Sequence, residues 1–130
     1  MEKRVLVVDD DPAVARVVQR ALLQKECAVE LAANGVEALE VLRQGFRGLV
    51  LMDVHMDTLD GWDTISIMVE ESLIEGNLVV MLTGDLSPEP RMEGLKEYVL
   101  DYITKPFQPL ALAELVESYF EDLHPGKPQS

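Results

Sequence analysis

The sequence predicts an α/β fold in which helices cover both faces of a five-stranded parallel sheet. Short runs rich in β-branched and other apolar residues alternate with segments whose apolar residues recur at helical spacing. The first, third and fourth runs are almost continuously apolar, as expected of parallel strands that are buried on both faces. A chain of 130 residues is long enough for one such domain, so we expect a single site.

The first predicted strand, VLVV at 5–8, is followed by a helix that begins at Asp11 and Pro12. Aspartate is a typical N-cap residue, and proline is favoured at the first helical position, where its missing N–H is not needed. The helix is expected to end near Lys25, before a second strand, AVELAA at 28–33. Its apolar face is expected to comprise Val14, Val17, Val18, Ala21 and Leu22.

Asn34 and Gly35 are expected to open the second helix, which precedes the third strand, LVLM at 49–52. The segment 60–62 leads into the third helix, and the fourth strand is LVVML at 78–82. The predicted inward residues are Val36, Leu39 and Leu42 in the second helix, and Ile65, Met68, Val69 and Leu73 in the third.

Ser87 and Pro88 are expected to cap the fourth helix, and DYIT at 101–104 is the fifth strand. Pro109 then begins the fifth helix. The apolar face of that helix is expected to comprise Leu112, Leu115, Val116 and Tyr119. We expect the domain to span residues 1–122, with a C-terminal tail or the start of a linker at 123–130.

Composition argues against several classes of function. The formal net charge of −13 would repel a phosphate backbone, so no direct nucleic-acid binding is expected. No apolar run approaches the roughly 18 residues of a membrane span, and the first apolar stretch is too short for a signal peptide. Cys27 is the only cysteine, so no internal disulfide can form, and a reducing, cytoplasmic location is expected.

Polar residues stand at the carboxyl ends of four predicted strands. They are Asp9 and Asp10 after the first strand, Asp53 after the third, Thr83 after the fourth and Lys105 after the fifth. Ligands of open parallel α/β sheets bind outside these strand ends. Each residue alone favours a helix cap or a turn, but together they predict three carboxylates, a hydroxyl and an ammonium at one rim.

Three crowded carboxylates either have raised pKa values or require a cation. Mg²⁺ fits best, because it prefers oxygen ligands and is often held by one or two carboxylates and a substrate phosphate. We expect Asp10 and Asp53 to bind it directly and Asp9 to act through water. The acids, a divalent cation and Lys105 then sum to zero formal charge. Asp53 is the candidate nucleophile for a phosphoryl group whose oxygens Lys105 and Thr83 would bind.

The segments VLVVDDD, LVLMDVHMDTLDG, VVMLTGD and DYITKPF resemble, in this order, the signature segments of the receiver domain of two-component response regulators. The resemblance covers roughly residues 3–120 and implies a flavodoxin-like sheet with strand order 2-1-3-4-5. It implies autocatalysed transfer of a phosphoryl group from a phosphohistidine to Asp53. It also implies Mg²⁺, with Mn²⁺ as an alternative ion, held by Asp10, Asp53 and the main-chain carbonyl of His55, with Asp9 supporting the metal indirectly.

The resemblance further implies an output switch. Thr83 turns toward the phosphoryl oxygen, Lys105 pairs with that group, and Tyr102 moves inward behind Thr83. The Lys105–Pro106 bond is expected to be cis. The implied partners are a histidine kinase or phosphotransfer protein and a downstream protein target or output domain, and the fourth helix, fifth strand and fifth helix form a candidate dimer face.

Two positions depart from the family pattern. Asp57 stands where the family usually has proline, and it either tightens metal binding or has a capping or solvated role, which we favour. The family commonly has glycine before the fifth strand, whereas this chain has EYVLDY, with Tyr98 near that position. Because a left-handed turn costs a non-glycine residue about 1 kcal/mol, we expect this turn to differ.

His55 and Asp85 lie two residues beyond Asp53 and Thr83, and we expect them to tune the lifetime of the phosphoryl group.

Three other classes of function fit the sequence less well. A haloacid-dehalogenase-like phosphatase needs a second acid where this chain has His55, and nucleotide binding would need a Gly-rich loop after a strand. The intact rim argues against a pseudo-receiver that only binds proteins. The implied domain is regulatory and catalyses only its own phosphorylation and dephosphorylation.

Overall fold

A computed structural model describes residues 2–85 and 89–122 and confirms the doubly wound α/β fold. The strands are β1 (Arg4–Val8), β2 (Ala28–Ala32), β3 (Leu49–Asp53), β4 (Leu78–Thr83) and β5 (Val99–Thr104). The helices are α1 (Pro12–Leu23), α2 (Gly35–Arg43), α3 (Gly61–Glu70), α4 (Met92–Leu95) and α5 (Pro109–Asp122), and a 3₁₀ turn (Lys96–Tyr98) follows α4. The predicted cap at Ser87 and Pro88 and the predicted tail at 123–130 lie outside the described residues.

All five strands are parallel and run in the order β2-β1-β3-β4-β5, which confirms the predicted flavodoxin-like topology. The strand order reverses between β1 and β3, and that is where ligands bind in such sheets. Val8 pairs with Met52, and Asp53 pairs with Leu82. The carboxyl ends of the three central strands are therefore level, and the residues that follow them lie side by side.

The core has two layers, one on each face of the sheet. Alternate residues of β3 point to opposite faces, so Leu49 and Leu51 pack under α1 and α5, while Val50 and Met52 pack under α2 and α3. This explains why the run LVLM is continuously apolar. The fully buried Met52, Met68 and Met81 serve as core residues.

Three of the predicted inward residues are exposed, so the predicted helix faces are wrong at those positions. Val17 is 45% exposed, Val36 is 44% exposed and Leu115 is 37% exposed. Each of these three helices instead buries an alanine, whose small side chain allows a helix to lie close to the sheet. The buried alanines are Ala15, Ala38 and Ala113. Helix α1 ends at Leu23 with its C-cap at Gln24, close to the predicted end near Lys25.

Three helices begin at a polar cap, as the sequence predicts. The side chain of Asp11 accepts hydrogen bonds from the main chain of Ala13 and Val14. Asn34 caps α2, and Asp60 caps α3. These caps fix the positions at which α1, α2 and α3 leave the carboxyl edge of the sheet.

The connection before β5 differs from a glycine turn, as expected. Tyr98 ends a 3₁₀ turn, and it is not among the non-glycine residues with positive φ in the described part of the chain. The register between β4 and β5 then shifts, because Val79 pairs with Val99 whereas Val80 pairs with Asp101. The extra residue, Leu100, is 42% exposed. A β-bulge therefore turns this side chain outward.

Gly61 starts α3 in close contact with β3. A Cβ atom at this position would lie 2.9 Å from the main-chain oxygen of Asp53 and 2.8 Å from Cε of Met81. We expect Gly61→Ala to lower the free energy of unfolding by about 1–3 kcal/mol, because the backbone of a central strand cannot yield easily. Urea unfolding against Gly94→Ala, whose Cβ would meet nothing within 4 Å, measures the effect. Equal stabilities of the two variants would contradict it.

Candidate functional site

Three carboxylates meet at the carboxyl edge of the sheet. Asp9 and Asp10 follow β1, and Asp53 ends the neighbouring strand β3. A carboxylate oxygen from each residue lies within 4.8 Å of the other two. Asp9 is 2% exposed and Asp53 is 6% exposed, whereas Asp10 lies open to solvent. The predicted convergence of the three acids is confirmed.

Lys105 joins the acidic cluster from the end of β5. Its Nζ atom lies 3.1 Å from Oδ2 of Asp53 and 3.2 Å from Oδ2 of Asp9. Its main-chain N–H donates to the carbonyl of Thr83 at 2.8 Å, and the Lys105–Pro106 bond is cis, as expected. Burial alone would lower the pKa of Lys105, but hydrogen bonds and attraction from Asp53 and Asp9 outweigh it and raise that pKa. The side chain therefore stays cationic between two acids.

The environment of Asp53 disfavours its negative charge. Burial raises the pKa of this carboxyl, and the neighbouring charge of Asp9 adds to the effect. Lys105 opposes the shift, as does the N–H of His55, which donates to Oδ1 of Asp53 at 3.1 Å. The net pKa remains above the ordinary carboxyl value. A divalent cation or a more polar environment would relieve this cost.

We expect Asp53→Asn to raise the free energy of unfolding at neutral pH in EDTA. Because the pKa of Asp53 is raised on folding, the folded protein keeps this proton to higher pH than the unfolded chain does. Stability therefore falls as pH rises from the unfolded pKa through the raised folded pKa, and this loss is the penalty for charging Asp53. Asparagine removes it. Urea unfolding tests this against the control Asp57→Asn, and a parent at least as stable as Asp53→Asn would contradict it.

Thr83 is buried at the end of β4, beside the acidic cluster. Its hydroxyl donates to the main-chain carbonyl of Asp85 at 2.7 Å and accepts from the N–H of Asp85 at 3.0 Å. These bonds form within a short turn after the strand. The hydroxyl is thus engaged with the main chain two residues further on, while Lys105 and not Thr83 contacts Asp53.

Tyr102 is half-buried on β5, and its hydroxyl is buried without a hydrogen-bond partner among the described residues. Burial raises the pKa of its phenol group. The centroid of its ring lies 6.4 Å from that of Trp62, which is 3% exposed and packs at the start of α3. An unsatisfied buried hydroxyl costs free energy, so the inward position of Tyr102 depends on ring packing.

His55, Asp57 and Asp85 are all exposed beside the rim. Asp57 is not part of the acidic cluster, and the cap of α3 comes from Asp60, whose carboxylate accepts the N–H of Asp63 at 2.9 Å. Of the roles expected for Asp57, which were metal binding, capping and a solvated position, the structure therefore favours the solvated position. Metal binding by its side chain gains no support from this geometry.

An apolar groove of about 510 Å³ opens beside Lys105, between α1 and the connection from β5 to α5. Sequence periodicity missed it, because an outward valine on an amphipathic helix looks like a core residue. The groove is lined by Ala13, Val14, Val17, Val18, Lys105, Pro106, Phe107 and Pro109. Val17 is therefore exposed because it lines this groove.

Among the described residues, no helix has the length and apolar character needed to cross a membrane.

Comparison with known proteins agrees with the fold and the acidic cluster described above. A family model described as the response regulator receiver domain matches residues 5–117. Response regulator MprA from Mycobacterium sp. (strain KMS) is 38% identical over 116 residues, which cover 89% of this chain and 48% of that protein. The chain spans about half the length of several such curated relatives.

Two solved structures show how far the likeness extends. A CheY-like response regulator receiver domain from Methanospirillum hungatei JF-1 has a TM-score of 0.86 and 39% identity, covering 93% of this chain and 96% of that one. The response regulator TrrA from Thermotoga maritima, solved in complex with Mg²⁺ and beryllofluoride, has a TM-score of 0.74 and 26% identity. That match covers 89% of this chain and 97% of TrrA.

Proposed function

The chain belongs to the response regulator receiver family of two-component signalling, and from this premise we propose that Asp53 accepts a phosphoryl group from a phosphohistidine in the presence of Mg²⁺. One observation carries the proposal: Asp53 is buried, lies 3.1 Å from the ammonium of Lys105 and shares an acidic cluster with Asp9 and Asp10. A domain that only bound proteins would not need to bury acids together at this cost.

The donor set of the acidic cluster fits Mg²⁺ or Mn²⁺. Its carboxylates are hard oxygen ligands, and Mg²⁺ held by one or two carboxylates commonly completes its coordination with waters and a phosphoryl oxygen. Asp10, Asp53 and the main-chain carbonyl of His55 would hold the ion, with Asp9 acting indirectly. The ion supplies charge compensation for the acids and the incoming group. The complex of TrrA with Mg²⁺ and beryllofluoride, a relative at 26% identity, supports this assignment.

The chemistry requires one bond to form and one to break. A carboxylate oxygen of Asp53 attacks phosphorus, the P–N bond to the donor imidazole breaks, and the imidazole nitrogen that keeps the electron pair takes a proton from solvent. Lys105 then exchanges its contact with Asp53 for one with a phosphoryl oxygen, which keeps its charge compensated. The hydroxyl of Thr83 leaves the main chain of Asp85 and donates to a second oxygen. Tyr102, whose hydroxyl is already buried in this structure, stays inward behind Thr83 as part of the output switch.

The proposed partners of the chain are inferred from its family and from the apolar groove beside Lys105. The donor is a histidine kinase or a phosphotransfer protein, and the apolar groove beside Lys105 offers it a contact surface next to the acceptor. A relative called probable transcriptional regulator ycf27 is about twice as long as the match, so we assign the output to an attached domain or to a downstream protein. The face of α4, β5 and α5 remains the candidate dimer surface, and the setting is cytoplasmic.

The function is tested by intact mass spectrometry of the protein after incubation with acetyl phosphate. We expect one added phosphoryl group with Mg²⁺ and none with EDTA. Binding of beryllofluoride, an unreactive phosphoryl mimic, covers the case in which the adduct hydrolyses too quickly to be observed. A protein that neither gains mass nor binds beryllofluoride would be a pseudo-receiver, and the proposal would fail.

We expect His55 and Asp85 to set the lifetime of the phosphoryl group. Both are exposed and flank the acceptor, so their side chains lie where an attacking water would approach. His55→Ala and Asp85→Ala should each change the dephosphorylation rate by more than about twofold, as expected where positioning controls attack by water. Decay of the adduct after removal of acetyl phosphate gives the rate, and Asp57→Ala serves as an exposed control. Rates equal to that of the control would reject both roles.

A further inference from the structure

Arg91 binds three carboxylates at once. Its guanidinium contacts Asp60 through two hydrogen bonds of 2.9 and 3.1 Å, Asp63 at 2.7 Å and Glu89 at 2.7 Å. Asp60 is the N-cap of α3 and Asp63 lies in its first turn, whereas Glu89 and Arg91 precede α4. We call these four residues the Arg91 cluster. It connects two segments that are distant in sequence.

The position of Arg91 is poor for α4 itself. Arg91 occupies the N-cap and makes no capping hydrogen bond from its side chain, whereas the caps of α1, α2 and α3 are Asp11, Asn34 and Asp60. A cation at a helix N-terminus opposes the helix dipole. A residue that breaks the local rule points to a role elsewhere, and here that role is the connection to α3.

Among the residues that the structure describes, few other contacts hold α4 in place. Neither α4 nor the 3₁₀ turn after it contains a buried residue. Within residues 2–85 and 89–122, the apolar packing of this segment comes from the partly buried Met92, Leu95 and Tyr98. Isolated surface ion pairs contribute little to stability, but a network of several charges around one guanidinium contributes more. Where apolar packing is weak, as at α4, such a network supplies a larger fraction of the local stability.

The other side of the Arg91 cluster is fixed to the acceptor strand. Asp60 is followed by Gly61, whose N–H donates to the carbonyl of Val54 at 2.9 Å, directly after Asp53. Arg91 itself stands eight residues after Thr83. The Arg91 cluster therefore joins the strand that carries the acceptor to the segment that follows the switch threonine.

We propose that the Arg91 cluster stabilises the arrangement in which the Thr83 hydroxyl is bonded to Asp85, and so lowers the affinity of the site for a phosphoryl group. The proposal rests on the proposed function, because a phosphoryl group at Asp53 is what draws Thr83 away. A ligand that favours the second arrangement must work against whatever stabilises the first. Weakening the Arg91 cluster therefore raises the apparent affinity for that ligand.

The first experiment measures beryllofluoride binding at saturating Mg²⁺ for the parent, Arg91→Gln and a matched control, Arg43→Gln. Arg43 makes a bidentate pair with Glu71, at 2.7 and 2.8 Å, near the carboxyl ends of α2 and α3. Both variants lose one positive charge, so they change the general attraction for the anionic ligand alike. Arg91→Gln should bind about fivefold more tightly than Arg43→Gln, which corresponds to a network of partly exposed ion pairs.

A second variant checks the direction of the effect. Asp63→Asn removes the negative charge of one partner of Arg91 and should also bind more tightly than its own control, Glu71→Gln. Salt screens partly exposed pairs, so added NaCl should reduce the difference between Arg91→Gln and Arg43→Gln. Affinities for Arg91→Gln equal to or weaker than those for Arg43→Gln would overturn the proposal.

A readout that needs no ligand separates this proposal from the proposed function. Amide hydrogen exchange in residues 92–98 should be faster in Arg91→Gln than in the parent and Arg43→Gln, because α4 loses part of its attachment. A parent that fails to bind beryllofluoride would refute the proposed function, and hydrogen exchange would then decide the role of the Arg91 cluster alone. Equal exchange in all three proteins would overturn it.

Discussion

Asp53→Asn should abolish the phosphoryl adduct from acetyl phosphate completely. An amide oxygen is a far weaker nucleophile than a carboxylate, and the substitution also removes one of the two carboxylates that would hold Mg²⁺ directly. Asparagine keeps the shape of the side chain, so β3 and its contacts with Gly61 persist. The loss of labelling would then reflect chemistry and not unfolding.

Intact mass spectrometry of Asp53→Asn beside Asp57→Asn makes this a matched comparison. Asp57 is an exposed acid four residues later, so its substitution removes the same charge close to the same rim. Asp57→Asn should retain the adduct. An adduct of parental yield on Asp53→Asn would place the acceptor on another residue and contradict the account.

Lys105→Met should slow labelling by about 100-fold, the loss typical of removing one preorganised group that stabilises developing charge. Nζ of Lys105 lies within 3.2 Å of both Asp9 and Asp53, so it is already placed where phosphoryl oxygens arrive. Methionine keeps much of the aliphatic stem but cannot compensate charge. Stabilisation of the phosphoryl oxygens would then depend on the bound metal and the hydroxyl of Thr83.

The matched control for Lys105→Met is Lys25→Met. Lys25 also pairs with an acid, Glu117, at 3.8 Å, but it lies after α1, far from the carboxyl edge of the sheet. Labelling rates with acetyl phosphate, measured over time by intact mass, give the ratio. Similar rates for the two variants would show that Lys105 does not take part in transfer.

Much of the fold and site could be predicted because both depend on short-range patterns. The run LVLM identifies β3 as buried on both faces, and the polar residue at its end, Asp53, then lies at the carboxyl edge by topology alone. The same reasoning placed Asp9, Asp10 and Lys105 together. Residues at strand ends need no knowledge of side-chain packing to be located.

Features that depend on long-range packing could not be predicted. Periodicity shows that Val17 belongs to an amphipathic helix, but not that the adjacent surface is a groove formed with Phe107. The missing glycine near Tyr98 predicts an altered turn, yet the bulge at Leu100 arises from pairing with β4. The contacts of Arg91 with Asp60 and Asp63 span 31 and 28 residues, and no local pattern indicates them.

The most direct test of the central claim is to locate the phosphoryl group. Sodium borohydride reduces an aspartyl phosphate to homoserine, so peptide mass spectrometry of the labelled and reduced protein identifies the acceptor. We expect homoserine in place of Asp53 and unmodified aspartate at Asp9, Asp10 and Asp57. Homoserine at any of those three positions, or none at Asp53 in protein that carries the adduct, would contradict the assignment of Asp53 as the phosphoryl acceptor.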